Sequence, residues 1–134
     1  MADVQRWPEW TPSISGIEVL DVGPIALGSR VRVHQPKLLP ATFMITEWKP
    51  NRGFKWVSQS LGLVAVGNHV IDPSQTGSTV TLTLQFFGLL ASLAGFLGRN
   101  LIVRYIQLEA TGLKARTESS LASPSSSDVI PTQP

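Results

Sequence analysis

Residues 88–116 read GLLASLAGFLGRNLIVRYIQLEATGLKAR. Within them Leu90, Leu93, Leu97, Leu101, Tyr105 and Leu108 recur at three- and four-residue spacing, which stacks them on one side of an α-helix about eight turns long. Such a stripe has to be buried against something. Arg99, Arg104, Lys114 and Arg116 fall off it, while Ile102, Ile106 and Leu113 widen it. The apolar face is therefore too broad for a coiled-coil seam and suits packing against a sheet. Gly95, Gly98 and Gly112 each weaken the helix by about 1 kcal/mol relative to alanine. A kink or a close backbone approach is expected around residues 95–98.

Upstream, the text breaks into short β-like segments separated by Gly, Pro, Asn or Asp. The expected strands are 16–22, 28–35, 41–49, 53–60, 63–72 and 78–87. In 28–35, Val31 and Val33 alternate with Arg30, Arg32 and His34, giving one apolar and one wet face. In 41–49, Phe43 and Ile45 share a face, with Thr42, Met44, Thr46 and Trp48 on the other. Phe54 and Trp56 lie together opposite Lys55 and Val57. Residues 63–72 have no clean polar face, as expected of a strand beneath the long helix or one buried on both sides. In 78–87, Val80, Leu82, Leu84 and Phe86 alternate without a break against Thr79, Thr81, Thr83 and Gln85, so register is well specified.

The ends differ from this middle. Trp7 and Trp10 stand three apart between Pro8 and Pro12, which permits a helical turn but no long helix. These tryptophans either plug one end of the core or wall a binding mouth. After Glu118 the chain is rich in Ser and Pro and too poor in apolar residues to fold. The expected organisation is a folded domain over residues 1–118 and a disordered tail over 119–134.

The 134 residues are 43% hydrophobic, enough for one domain with a real core. Absence of cysteine removes disulfides, thiolate metal sites and cysteine nucleophiles. The net charge of +2 comes from 11 basic and 9 acidic residues with no run of one sign, so a nucleic-acid partner is not expected. The start is polar and no secretory leader is expected, making the cytoplasm the expected compartment. The apolar run 86–98 ends at Arg99 and Asn100, short of the roughly 20 residues a membrane span needs. Stable membrane insertion is not expected. His34 and His69 lie on different strands without ligand spacing, so neither a metal nor another cofactor is expected. There is no nucleophile elbow, Walker loop or dinucleotide fingerprint.

Successive strands closed by one long helix suggest an α+β fold in which a sheet curls around that helix. Several stretches carry a more specific likeness. Val4-Gln5-Arg6-Trp7-Pro8-Glu9-Trp10, Gly28-Ser29-Arg30-Val31-Arg32-Val33 followed by Gln35-Pro36, Ile45-Thr46-Glu47 and Phe54-Lys55-Trp56 resemble the polyketide cyclase/dehydrase-like branch of the START/SRPBCC superfamily. So do His69-Val70-Ile71-Asp72-Pro73, Gly77-Ser78-Thr79-Val80-Thr81 and Glu109-Ala110-Thr111-Gly112-Leu113-Lys114. The resemblance covers residues 3–118. It implies a helix-grip fold, a curved antiparallel sheet around the C-terminal helix with a deep apolar cavity between them. It also implies binding of a lipid, sterol, polyketide or other hydrophobic molecule, with cyclisation or dehydration catalysed by a minority of members.

Members usually begin with a strand and an apolar helix before the Trp-Pro segment, and here Met1 falls almost directly on that segment. The expected sheet therefore lacks the usual first strand and has a bare edge. Either the chain is shortened at its start, or a second copy covers the edge in a homodimer.

By alternation, the concave face carries Phe43, Ile45, Phe54, Trp56, His69, Ile71, Leu82, Leu84 and Phe86, closed by Leu97, Leu101, Tyr105 and Leu108, with Trp10 at the mouth. These side chains either fill a solid core or line a ligand cavity, since both use the same residue types. His69, with Tyr105 or Gln35 as polar neighbours, is either an acid/base group or a hydrogen-bonded structural histidine. Glu47 and Glu109 read as ion-paired carboxylates, with Arg104, Lys114 or Lys49 as partners. Three functions follow: a binder of a small hydrophobic molecule, a cyclase or dehydrase acting through His69, or an interaction module with a filled core.

Overall fold

The computed structural model describes residues 3–122. It opens with a short 3-10 helix, Val4–Glu9. Residues three apart eclipse one another in a 3-10 helix, which puts Val4 and Trp7 on one side, and both are completely buried. Six strands follow: β1 (Gly16–Val19), β2 (Arg30–His34), β3 (Ala41–Lys49), β4 (Gly53–Ser60), β5 (Leu63–Ser74) and β6 (Gly77–Phe87). Each pairs antiparallel with the next, in the order β1-β2-β3-β4-β5-β6. This is a single meander, so every connection between strands is local. The chain closes with α1, Ala91–Ala122. The architecture is the expected α+β helix-grip: a curved antiparallel sheet followed by a long C-terminal helix.

Alternation assigned the buried face well. Val31, Val33, Phe43, Ile45, Phe54 and Trp56 form one core cluster with Val4, Trp7 and Ile14. Trp48 is a correction. Ile45 pairs with Trp56, but Glu47 pairs with Lys55 and Trp48 with Phe54. Thr46 is thus an extra residue on β3, and past such a bulge the faces exchange. Trp48 consequently joins the core side, half-buried and 6.0 Å from the Phe54 ring.

The helix also departs from expectation. It starts at Ala91 and continues to Ala122, so residues 119–122 belong to it and not to the tail. Here Thr117, Ser119 and Ser120 donate hydroxyl hydrogen bonds to the carbonyls of Leu113, Ala115 and Arg116, at 2.6, 2.9 and 2.8 Å. Serine hydroxyls that bond back to the preceding turn are compatible with helix. Residues 123–134 of the expected tail lie outside the described residues.

α1 buries only the C-terminal part of the expected stripe, where Leu101 and Leu108 are half-buried. Tyr105 and Leu113 are buried, whereas Leu93 is 53% and Leu97 73% exposed. At about 100° per residue, Leu97 lies about 80° and Leu93 about 120° around the helix from Tyr105. The stripe drifts out of the interface as it runs towards the N-terminus. The packed face runs instead through Ile102, Tyr105, Glu109, Gly112, Leu113 and Arg116. Gly112 sits against the 3-10 helix: a Cβ there would lie 2.0 Å from the Trp10 carbonyl oxygen. The close backbone approach expected around residues 95–98 is found at Gly112 instead, and a Cβ at Gly95 would meet nothing within 4 Å. Arg116 adds an ion pair to Glu9 at 3.2 Å.

Candidate functional site

His69 is the point where strands and helix converge. On β5 it lies directly across from Phe54 of β4 and Leu82 of β6, and residues paired this way share a face. Its ring stacks on Phe54 with centroids 4.4 Å apart and planes 12° from parallel. Trp7 and Trp56 close in at 5.3 and 5.4 Å. Gly53 opens β4 with φ +130, and a Cβ there would collide with the His69 carbonyl oxygen. A glycine is required at this position because the backbone combines left-handed geometry with a close neighbour.

From the helix side, Glu109 Oε1 reaches His69 Nε2 at 2.9 Å. The two side chains are only 16% and 5% exposed. This corrects two expectations. Glu109 pairs with His69 in place of Arg104, Lys114 or Lys49, and His69 is not held by Tyr105 or Gln35. The Tyr105 hydroxyl instead donates to the Pro36 carbonyl. A carboxylate oxygen accepts, so the imidazole Nε2–H is the donor of this bond. Nδ1 is buried and meets no hydrogen-bond partner among the described residues.

The expected lining divides into two groups. Phe43, Ile45, Phe54 and Trp56 are buried, and Trp7 packs 5.5 Å from Trp56 and 6.0 Å from Phe54. The space at the centre of the expected cavity is thus filled by aromatic rings, with Trp10 half-buried beside Trp7 at 5.5 Å. Ile71, Leu82, Leu84, Phe86, Leu101 and Leu108, by contrast, are only partly covered. Leu84 and Phe86 pair with Gly67 and Ala65, on the same face as His69.

Helix geometry explains why that second group stays open. Extending the packed face of α1 towards its start brings Ala91, Ala94, Gly95 and Gly98 onto it, at about 100° per residue. These residues are small, and a Cβ at Gly95 would meet nothing within 4 Å. On this phasing the first half of α1 turns no large side chain towards the half-buried Leu82, Leu84 and Phe86. Leu97, expected to close the cavity, is 73% exposed. Attention to large residues hides this run in the sequence, although Ala91, Ala94, Gly95 and Gly98 recur at helical spacing with Tyr105 and Glu109.

Two recesses open on the surface. One, of about 500 Å³, lies between the start of the 3-10 helix and the loop after β1, lined by Asp3, Gln5, Asp21, Ile25 and Trp48 among others. The other, about 260 Å³, lies beside the β3–β4 turn and includes Phe54, His69 and Ile71, with Glu47, Lys49, Arg52 and Asp72 around them. Hydrogen bonding from Lys55 holds the Glu47 carboxyl below the usual carboxylate range. Glu47 also pairs with Lys49 at 3.9 Å, as expected.

Among the described residues, no cluster of three or more His, Asp or Glu side chains could hold a metal ion. Among the same residues no helix is long and apolar enough to cross a membrane. No curated protein matches the chain. A family model described as polyketide cyclase / dehydrase and lipid transport matches residues 1–118, spanning the 3-10 helix, the whole sheet and α1 through Glu118. With the curved meander and the C-terminal helix already in place, the chain belongs to the polyketide cyclase/dehydrase and lipid transport family.

Proposed function

We propose that this protein binds a small hydrophobic molecule, of lipid or polyketide-like character, between β5, β6 and the first half of α1. One observation carries the reading. By helical phase Ala91, Ala94, Gly95 and Gly98 fall on the packed side of α1, a Cβ at Gly95 would meet nothing within 4 Å, and Leu82, Leu84 and Phe86 of the sheet are only half-buried among the described residues. At about 25 cal/mol per Å², an aliphatic ligand covering about 200 Å² of such surface gains about 5 kcal/mol before ordering costs. The buried His69 Nδ1, which has no hydrogen-bond partner among the described residues, supplies a place for a ligand hydroxyl to orient the molecule.

Native mass spectrometry of freshly purified protein, compared with its denatured mass, tests this directly. A discrete extra mass that is lost on denaturation is the expected result. Gly95→Leu, which places a side chain where nothing now stands within 4 Å, is expected to abolish the adduct while leaving the circular dichroism spectrum intact. Equal loading of Gly95→Leu and wild type with a test lipid would sink the reading.

A second reading is favoured by the His69–Glu109 pair itself. A histidine oriented by a carboxylate at one nitrogen is suited to proton transfer at the other, as a cyclase or dehydrase requires. The burial of His69 beneath Phe54, Trp7 and Trp56 argues for the binding role first. Loss of turnover of polyketide-like ketones in His69→Ala, with the fold retained, would reverse that order.

A further inference from the structure

The corner where β6 passes into α1 is unusually apolar on its outside. Phe87, Leu89, Leu93, Phe96 and Leu97 are all exposed, Leu89 at 95% and Phe96 at 84%. Leu61, at the β4–β5 turn and 96% exposed, belongs to the same corner. The Leu90 amide donates to the Gly62 carbonyl at 2.9 Å, and Gly88 packs against that carbonyl so closely that a Cβ would lie 2.6 Å away. The turn and the helix start therefore form one rigid projection. Large contiguous apolar surface of this kind marks an interaction site.

Charge identifies what it meets. From residue 73 to residue 108 there is no Asp or Glu, and Arg99 and Arg104 are the only charged side chains. The first acid after them, Glu109, is buried against His69. Along α1, Ala91 to Leu97 cover about 9 Å at 1.5 Å per residue, within the roughly 5–10 Å to which apolar residues sink into the headgroup and acyl boundary. Arg99 then follows at about the level of the headgroups, with Arg104 about 8 Å beyond it. A second copy docking through this corner would bring only like charges. Anionic phosphate groups supply the charge that the corner lacks.

We propose that this corner docks the protein reversibly onto the surface of an anionic lipid bilayer, with Leu61, Leu89, Leu93, Phe96 and Leu97 immersed and Arg99 and Arg104 against lipid phosphates. The apolar run is too short to span a bilayer, so binding is peripheral. The same first half of α1 carries the small residues on which the proposed ligand site rests. The docking surface stands on its own exposure and charge and does not require a bound ligand.

The chain contains no cysteine, so Phe96→Cys can carry a single environment-sensitive dye, with Lys114→Cys on the far half of α1 as its control. With phosphatidylcholine vesicles containing about a third phosphatidylglycerol, the dye at position 96 is expected to shift to the blue and the dye at 114 to stay unchanged. In flotation assays the unlabelled full chain is expected to rise with these vesicles and to release in high salt. Leu93→Glu with Phe96→Glu should weaken binding at least tenfold. Both positions are exposed, so circular dichroism should match wild type. Failure to float at millimolar lipid, or undiminished flotation of the double variant, overturns the proposal. So does a dimer in light scattering that the double variant dissolves, because a second copy would then own the corner.

Discussion

Gly112→Ala should destabilise the protein, although helix propensity alone predicts the opposite. Alanine is favoured over glycine in a helix interior by about 1 kcal/mol, and Gly112 lies well inside α1. Yet the new Cβ would stand 2.0 Å from the Trp10 carbonyl oxygen and 3.2 Å from its ring, where ordinary contact begins at 3.4 Å. The obstacle is backbone, so it cannot rotate aside. Either α1 or the 3-10 helix must retreat by about 1.4 Å. Overpacking of this kind costs about 1–3 kcal/mol, and a backbone obstacle places it at the upper end. Net destabilisation should be about 2 kcal/mol, or a fall in Tm of about 8 °C. Urea unfolding followed by tryptophan fluorescence reads the difference, because Trp7 and Trp10 sit at this contact. Gly95→Ala is the control: with nothing within 4 Å, it should gain up to about 1 kcal/mol. A Gly112→Ala protein as stable as Gly95→Ala would refute the idea that the 3-10 helix clamps α1.

Three further substitutions test neighbouring parts. Glu109→Leu leaves Nε2 of a buried histidine without a partner and should cost about 1–3 kcal/mol, with His69→Phe in the same background restoring most of it by urea titration. Gly67→Ala would set a Cβ 2.1 Å from Trp56 Nε1, turning the indole out of the aromatic cluster. It should cost about 1–3 kcal/mol and change tryptophan emission in the folded state. The Asp21 carboxyl is held below the usual carboxylate range by hydrogen bonds from the Arg30 side chain and backbone. A depressed folded-state pKa gives stability that is present above the unfolded pKa and is lost as pH falls through the folded one. Asp21→Asn should therefore melt below wild type at neutral pH, and the two melting curves should converge in acid.

Strand alternation made most of the sheet legible, because a meander of local hairpins leaves each strand's faces to its own sequence. β3 and β4 match the expected bounds residue for residue, and β5 and β6 within two. Trp48 was misplaced because a bulge is one residue of extra backbone, invisible in a pattern that counts side chains. In α1 the apolar stripe was real but had the wrong phase. Leu90, Leu93 and Leu97 are large and tempting, yet the side chains that fix the packed face are Tyr105, Leu113 and the pair Glu109–Gly112, two of which look unsuited to a core. Glu109 is tolerated there because His69 meets it, a partner 40 residues away that periodicity has no means of finding.

That phase difference divides the helix into two working halves. From Ile102 onward the packed face carries large side chains, plus a glycine where the Trp10 carbonyl intrudes, and the seam with the sheet and the 3-10 helix is closed. Before Gly98 the same face carries only Ala and Gly, and the large residues have rotated outwards. A helix selected only for stability would place Leu90, Leu93 and Leu97 inwards, since covering Leu84 and Phe86 with them would bury the apolar surface of both partners. Here Leu93 and Leu97 stay exposed and Leu84 and Phe86 only half-buried, at a cost in folding free energy, while the closed half holds the helix in place. Apolar surface left open inside a rigid frame is available to a ligand, and apolar surface turned outwards beside two arginines is available to a bilayer. On the functions proposed above, one rotation of sequence phase along α1 serves both.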